Sequence, residues 1–361
     1  MTNRRGFLMG AGGLAAGAAI AGHGESDGDA MRFTPTGGGL RITGTFLDEI
    51  TWDIPHQNWG YRQWEQDFRH MKAIGIDTVI LIRCGLDRFI AYPSDYLISK
   101  KGCYRPPIDL VEMFLTLSDR YGMKFYFGTY HDRRSGGQGE NFAAQYDDNM
   151  FVVDEAWRRY GHHRSFKGWY VTYEMSAKPV HAKHAPLIGS IGRHCKSMSG
   201  GLPVLLSPFI DGTKCVSQYS SVLGKKGGDT AEDHERKWDE IFASLKGGVD
   251  QCAFQDGHVE FFELDAFLAV NRRLATKYGV ECWTNVETFD RDMPIKFLPI
   301  KLEKVLLKLQ AATRAKYDKA ITFEFSHFMS PQSVYLSAGN LYERYCEYFG
   351  IDTIETCRPL T

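Results

Sequence analysis

Two glutamates close strand-like runs that are otherwise apolar and aromatic. Residues 167–176 (KGWYVTYEMS) deliver Glu174, and residues 280–289 (VECWTNVETF) deliver Glu287. A carboxylate ending a buried strand is costly unless it is paired or used. Two carboxyl groups flanking a cleft are what glycoside hydrolysis needs. One protonates the leaving oxygen, and the other attacks the anomeric carbon or activates a water. The ends of the remaining strand-like runs carry further polar side chains: Asp48, Glu49, Arg83, His131, Asp132, Gln255, Asp256, Asn285, Glu324 and His327. With Trp52, Tyr130 and Tyr173 they form the expected substrate-binding set. An ion pair to Arg83, or a bridge between loops, is the alternative use for any one of them. Trp59 and Phe289 add rings that suit the apolar C–H face of a sugar, while Trp283 reads as core because it lies within its strand. Arg83 would orient a carboxylate or bind an acidic sugar.

These residues are spaced by eight alternations of strand and helix pattern. Strand runs over residues 40–48, 76–83, 123–132, 167–174, 203–211, 248–256, 280–287 and 320–327 each precede a helical period. The helices are expected over residues 61–74, 107–121 (opened by Pro107), 148–160, 186–198, 230–245, 264–278, 302–316 and 340–348. Gly75, Gly122 and Gly279 each stop a helix immediately before an apolar run, and Thr230 opens one with a capping pattern. Strands this continuously apolar are buried on both faces. The series predicts one (β/α)8 barrel over residues 39–361, with the polar strand ends at its C-terminal mouth. The longest insertions, 133–147 and 212–228, fall on that same face.

The bulk properties narrow the partners. The chain has 361 residues and a formal net charge of −1, so it carries no basic footprint for nucleic acid. A carbohydrate substrate is the expected partner, and no Gly-rich nucleotide loop points to an organic cofactor. Residues 1–38 read as a leader: Arg4 and Arg5 precede a short Gly/Ala-rich apolar run that resembles a twin-arginine export signal. The expectation is a periplasmic or secreted protein that leaves the membrane once the signal is removed. Of eight cysteines, Cys84, Cys252 and Cys282 lie in core strands, and no CxxC pair suggests zinc.

The placement of Glu174 and Glu287 resembles the large clan of retaining barrel glycosidases, with the acid/base on strand 4 and the nucleophile on strand 7. The Gly168-Trp169-Tyr170…Glu174 segment also resembles a family of exported bacterial barrel proteins. The clan resemblance implies Glu174 as acid/base and Glu287 as nucleophile. It departs at Tyr173, where the clan has an Asn that binds the sugar 2-hydroxyl, so Asp256 or Asp132 stays open as the acid. A different chemistry on the same scaffold is a metal-dependent sugar isomerase or epimerase holding its ion through Glu174, Asp211, His258 and Glu324. A non-catalytic carbohydrate-binding barrel is the third alternative.

Overall fold

The computed structural model describes residues 38–52, 54–135, 145–216, 228–291 and 297–352. All but the last residue of the expected leader lies outside them, as does most of both insertions. Eight parallel strands close into a barrel: β1 (Ile42–Leu47), β2 (Thr78–Leu81), β3 (Lys124–Gly128), β4 (Phe166–Val171), β5 (Val204–Leu206), β6 (Gln251–Gln255), β7 (Glu281–Asn285) and β8 (Lys319–Thr322). Neighbours in the barrel are neighbours in sequence, and β8 pairs with β1 through Gly44↔Ile321 and Thr45↔Thr322. Eight helices cover the outside: α1 (Tyr61–Ala73), α2 (Leu110–Tyr121), α3 (Tyr146–Tyr160), α4 (Ala185–Met198), α5 (Ala231–Leu245), α6 (Leu264–Tyr278), α7 (Leu302–Arg314) and α8 (Leu336–Phe349). No helix among the described residues is long and apolar enough to cross a membrane.

Alternation along each strand sorts the side chains into two cores. Phe46, Ile80, Tyr126, Tyr170, Leu205, Ala253, Trp283 and Ile321 fill the barrel, one from each strand. Trp283 therefore packs inside, with its Nε1 donating to Glu281. The opposite faces, including Val79, Phe125, Trp169, Val204 and Cys252, meet the helices. Gly168 makes room for the Tyr126 ring, which a Cβ there would meet at 2.2 Å. Cys84, Cys252 and Cys282 are buried and unbridged.

Several boundaries differ from the sequence pattern for local reasons. Helix α2 starts at Leu110 rather than Pro107, because the Asp109 side chain accepts the Glu112 N–H and caps it. Thr230 caps α5 as expected, accepting from Asp233 N. Strand β8 stops at Thr322, and Phe325–Phe328 turns into one helical turn capped by Glu324. Helix α8 begins at Leu336, a full turn before the expected start. Two small sheets escape periodicity altogether. Gly85–Leu86 pairs with Phe89–Ile90 and Tyr130–His131, and Phe289–Asp290 pairs with Leu298–Pro299. Runs of two residues are too short to show a period.

Candidate functional site

The strand-7 side of the mouth is built around a buried carboxylate. Glu287 is 1% exposed, and Arg291 grips it with two bonds, Nε to Oε2 and Nη2 to Oε1, each 2.7 Å. The Lys308 ammonium reaches in from α7 to the Glu287 carbonyl at 3.1 Å and to Asp256 Oδ1 at 2.8 Å. Burial pushes the Glu287 carboxyl up, but Arg291 and then Lys308 more than offset it and hold the group below its usual range. Asp256, equally buried and beside Glu287, is raised by burial in spite of Lys308. Glu287 is the more acidic of the two, since it holds the bidentate partner. Gly257 lies under this pair, where a Cβ would sit 1.7 Å from Glu287 Oε2. A cavity of about 10 Å³ among Asp256, Glu287, Arg291 and Lys308 has room for a single water. Burial and then Arg291 drive His258 down to about 3, so it is neutral, and its buried Nδ1 has no protein partner.

Two predicted neighbours on this side are committed to the scaffold. Asn285 accepts the Phe323 N–H at 2.9 Å and donates to Ser207, tying β7 to the chain after β8. Gln255 donates to the Ser207 carbonyl at 2.8 Å. Phe289 packs into a small cluster with Ile54 and Phe328, with the Arg291 guanidinium 4.8 Å over its ring.

The side formed by strands 2 to 4 is more open. Glu174 follows β4 with its side chain 39% exposed, and Arg83 Nη2 lies 3.8 Å from its Oε1. That is an ion pair, but longer than a hydrogen bond. The Arg83 side chain is itself only 8% exposed, and its Nε has no hydrogen-bond partner among the described residues. His131 Nδ1 is likewise buried and unpartnered; burial, then Arg83, lowers that imidazole to about 4. Asp132 instead serves the loop, bound to Arg134 at 2.8 Å and close to Lys101, and is held ionised. Tyr130 turns its ring into the core, with its hydroxyl on the Asp87 carbonyl and near Cys103. Tyr173 is buried edge-on against His181 and His184.

A third group gathers where β8 meets β1. Glu324 and His327 form a fully buried pair, and His327 Nε2 lies 2.8 Å from the Pro55 carbonyl. Burial alone would lower His327, but Glu324 overrides it and raises the imidazole to about 9. Asp48 folds back on its own loop, accepting from Ile50 N and Thr51 N. Glu49 accepts Gln57 N at 3.3 Å, and burial raises its carboxyl to about 7. Trp52 is 64% exposed at the rim under Arg133, whereas Trp59 packs on Trp64 in the outer layer.

Three residues of these groups escaped the sequence reading. Arg291 lies four residues beyond Glu287, a spacing that reads as a pair only if the intervening chain turns. Lys308 sits on the buried face of α7 beside Val305 and Leu309, so a cation at a core position was the available signal. Asp67 on α1 is fully buried, bonded by Ser326 and Ser330, and raised by burial to about 7. Three of the four residues of the isomerase alternative have separate partners: Glu324 is spent on His327, Asp211 accepts Ala177 N, and Glu174 faces Arg83. Among the described residues no three His, Cys, Asp or Glu side chains converge as a metal would require. A hollow of about 380 Å³ lies between α5 and α6, lined by Glu232, Arg236 and Arg273.

Residues 42–335 match the family described as Domain of unknown function (DUF4434), and the chain belongs to that family. A solved structure from Bacteroides thetaiotaomicron VPI-5482, provisionally called an alpha-L-fucosidase, is 55% identical. The alignment covers 87% of this chain and 97% of that one, with a TM-score of 0.82. An endo-1,4-beta-mannanase from Rhizomucor miehei shares the fold at 12% identity and a TM-score of 0.53, over 86% of this chain and 98% of its own. No protein with curated function matches.

Proposed function

We propose that this DUF4434 member is a glycoside hydrolase working through Glu287 and Glu174. The observation that carries the reading is the contrast between them: at the tip of strand 7 a buried carboxylate held ionised, at the tip of strand 4 a half-exposed one beside Arg83. Paired carboxyl groups in unlike environments are how such enzymes divide the roles. In a retaining sequence, Glu174 gives its proton to the glycosidic oxygen as that bond breaks. A Glu287 oxygen bonds to the anomeric carbon. Glu174 then takes a proton from water, whose oxygen displaces Glu287 and returns the free sugar. Arg83 Nε, His131 Nδ1 and His258 Nδ1, all buried with no hydrogen-bond partner among the described residues, are suited to sugar hydroxyls. The provisional name of the 55% identical protein makes α-L-fucosides the first substrates to try.

The test is a screen of 4-nitrophenyl glycosides and oligosaccharides on the wild-type protein, Glu174→Gln and Glu287→Gln, with and without EDTA. The expected result is sugar release that survives EDTA and falls at least about a hundredfold in each variant. Activity that survives Glu287→Gln, or that needs a metal, would overturn the mechanism.

A further inference from the structure

Beyond Arg83 and His131, exposed aromatic rings continue outward over the loops that follow β1 and β2. Trp52, Phe89 and Tyr104 are 64%, 65% and 54% exposed. Trp52 is held by a charged group, and Phe89 and Tyr104 by each other and a backbone bond. The Arg133 guanidinium lies 5.2 Å over the Trp52 ring, and Asp87 holds Arg133 through its backbone N–H at 2.8 Å and its Nε at 3.0 Å. Asp87 is at the turn of the hairpin that carries Phe89, whose first strand pairs Leu86 with His131. Phe89 meets Tyr104 edge-on at 5.4 Å, and Tyr104 N donates to the Arg88 carbonyl at 2.8 Å. The series is therefore continuous with the mouth through His131, and it lies on the face where a barrel keeps its substrate loops.

We infer that Trp52, Phe89 and Tyr104 form a stacking platform for the pyranose rings of a longer sugar chain whose end enters the mouth. This rests on the reading of the substrate as a carbohydrate. Flat rings set between Asp87, Arg88 and Arg133 match a ligand with apolar C–H faces and hydroxyl edges. A protein partner would favour a contiguous apolar patch instead. The platform implies binding of oligo- or polysaccharide rather than a monosaccharide glycoside alone.

Native affinity electrophoresis through galactomannan, xyloglucan and arabinoxylan tests it, on the full chain, the Phe89→Ala/Tyr104→Ala variant and the Phe89→Trp/Tyr104→Trp variant. Melting temperatures show that each is folded. The expected result is retardation of the wild type by at least one polysaccharide, weakened about fivefold or more in the alanine variant and kept in the tryptophan variant. Retardation by none of them, or equal retardation of the alanine variant, would overturn the platform. A shift of the wild type without polysaccharide would show self-association and overturn it as well. The 4-nitrophenyl screen separates the two readings. Ring-dependent retardation without any cleavage removes the hydrolase and leaves the platform. Cleavage with ring-indifferent retardation does the reverse.

Discussion

Replacing Gly257 by alanine tests the geometry at Glu287 more directly than removing the glutamate. The new methyl would lie 1.7 Å from Glu287 Oε2 and 2.3 Å from Arg291 Nε, where ordinary contact begins at 3.4 Å. The carboxylate must then retreat by roughly 1.7 Å, which breaks at least one of the two 2.7 Å bonds to Arg291. Overpacking costs about 1–3 kcal/mol and a lost bond to a charged group about 1.5–3 kcal/mol, so destabilisation of roughly 3–5 kcal/mol at pH 7 is expected. On the hydrolase reading, a displacement of this size also misplaces the proposed nucleophile and costs about a hundredfold in kcat/KM. The pH dependence adds a second readout. Arg291 holds the folded Glu287 below its ordinary 4.5, so the pair stabilises the fold above that pH and loses its effect as pH falls through the depressed value. The cost of Gly257→Ala should therefore shrink in acid, and the acid limb of the pH–rate profile should move to higher pH. Urea unfolding at pH 7 and pH 4, with rates on the best substrate from the screen, gives both quantities. A destabilisation below about 1 kcal/mol with an unmoved acid limb would refute the close approach of Gly257 to this pair.

Two further outcomes follow from buried charges. Lys308→Met keeps the side-chain volume but leaves Asp256 buried without its ammonium, so it should cost about 3–5 kcal/mol in urea unfolding, with part of that recovered in Lys308→Met/Asp256→Asn. Full stability in the single variant would show that Asp256 is neutral. Asp67 has a folded value near 7 against an ordinary 3.8, so its contribution is complete below 3.8 and is lost as pH rises through 7. The stability of Asp67→Asn relative to wild type should therefore rise by roughly 2–3 kcal/mol between pH 5 and pH 8. A constant difference would mean that the hydroxyls of Ser326 and Ser330 keep Asp67 ionised.

The barrel was legible because its strands obey one rule: apolar on both faces and polar at the C-terminal tip. That rule also found the residues that crowd the mouth, but not their employment. Asp48, Asp132, Asn285 and Glu324 are dense polar tips by sequence, yet each is occupied by neighbouring backbone or by a cation. Strand ends need such bonds, because the loops leaving them bury unpaired N–H groups. Tyr130 misled through alternation. Strand β3 ends at Gly128, so the register that would face Tyr130 into the mouth does not continue, and its ring packs outward against Gly85 and Ile90. Arg291 and Lys308 were invisible for the opposite reason. Their role depends on where a loop turns and how a helix is rotated, neither of which leaves a period.

What remains at the mouth after this subtraction sets the size of a ligand. Arg83 Nε and His131 Nδ1, after strands 2 and 3, and His258 Nδ1, after strand 6, are buried with no hydrogen-bond partner among the described residues. Each such atom costs about 1–3 kcal/mol when left unmade, so a ligand that satisfies them gains accordingly. In an eight-stranded ring, strand 6 lies across from strands 2 and 3, so a single small anion would reach one group and leave the other. On the hydrolase reading, the sugar that lies between Glu174 and Glu287 must present hydroxyls in both directions. The neutral state of both imidazoles then matters: an unprotonated Nδ1 can accept from a sugar hydroxyl, whereas an imidazolium can only donate. Acidifying the assay towards pH 4 should accordingly weaken substrate capture through His131 before it titrates His258, whose value lies lower.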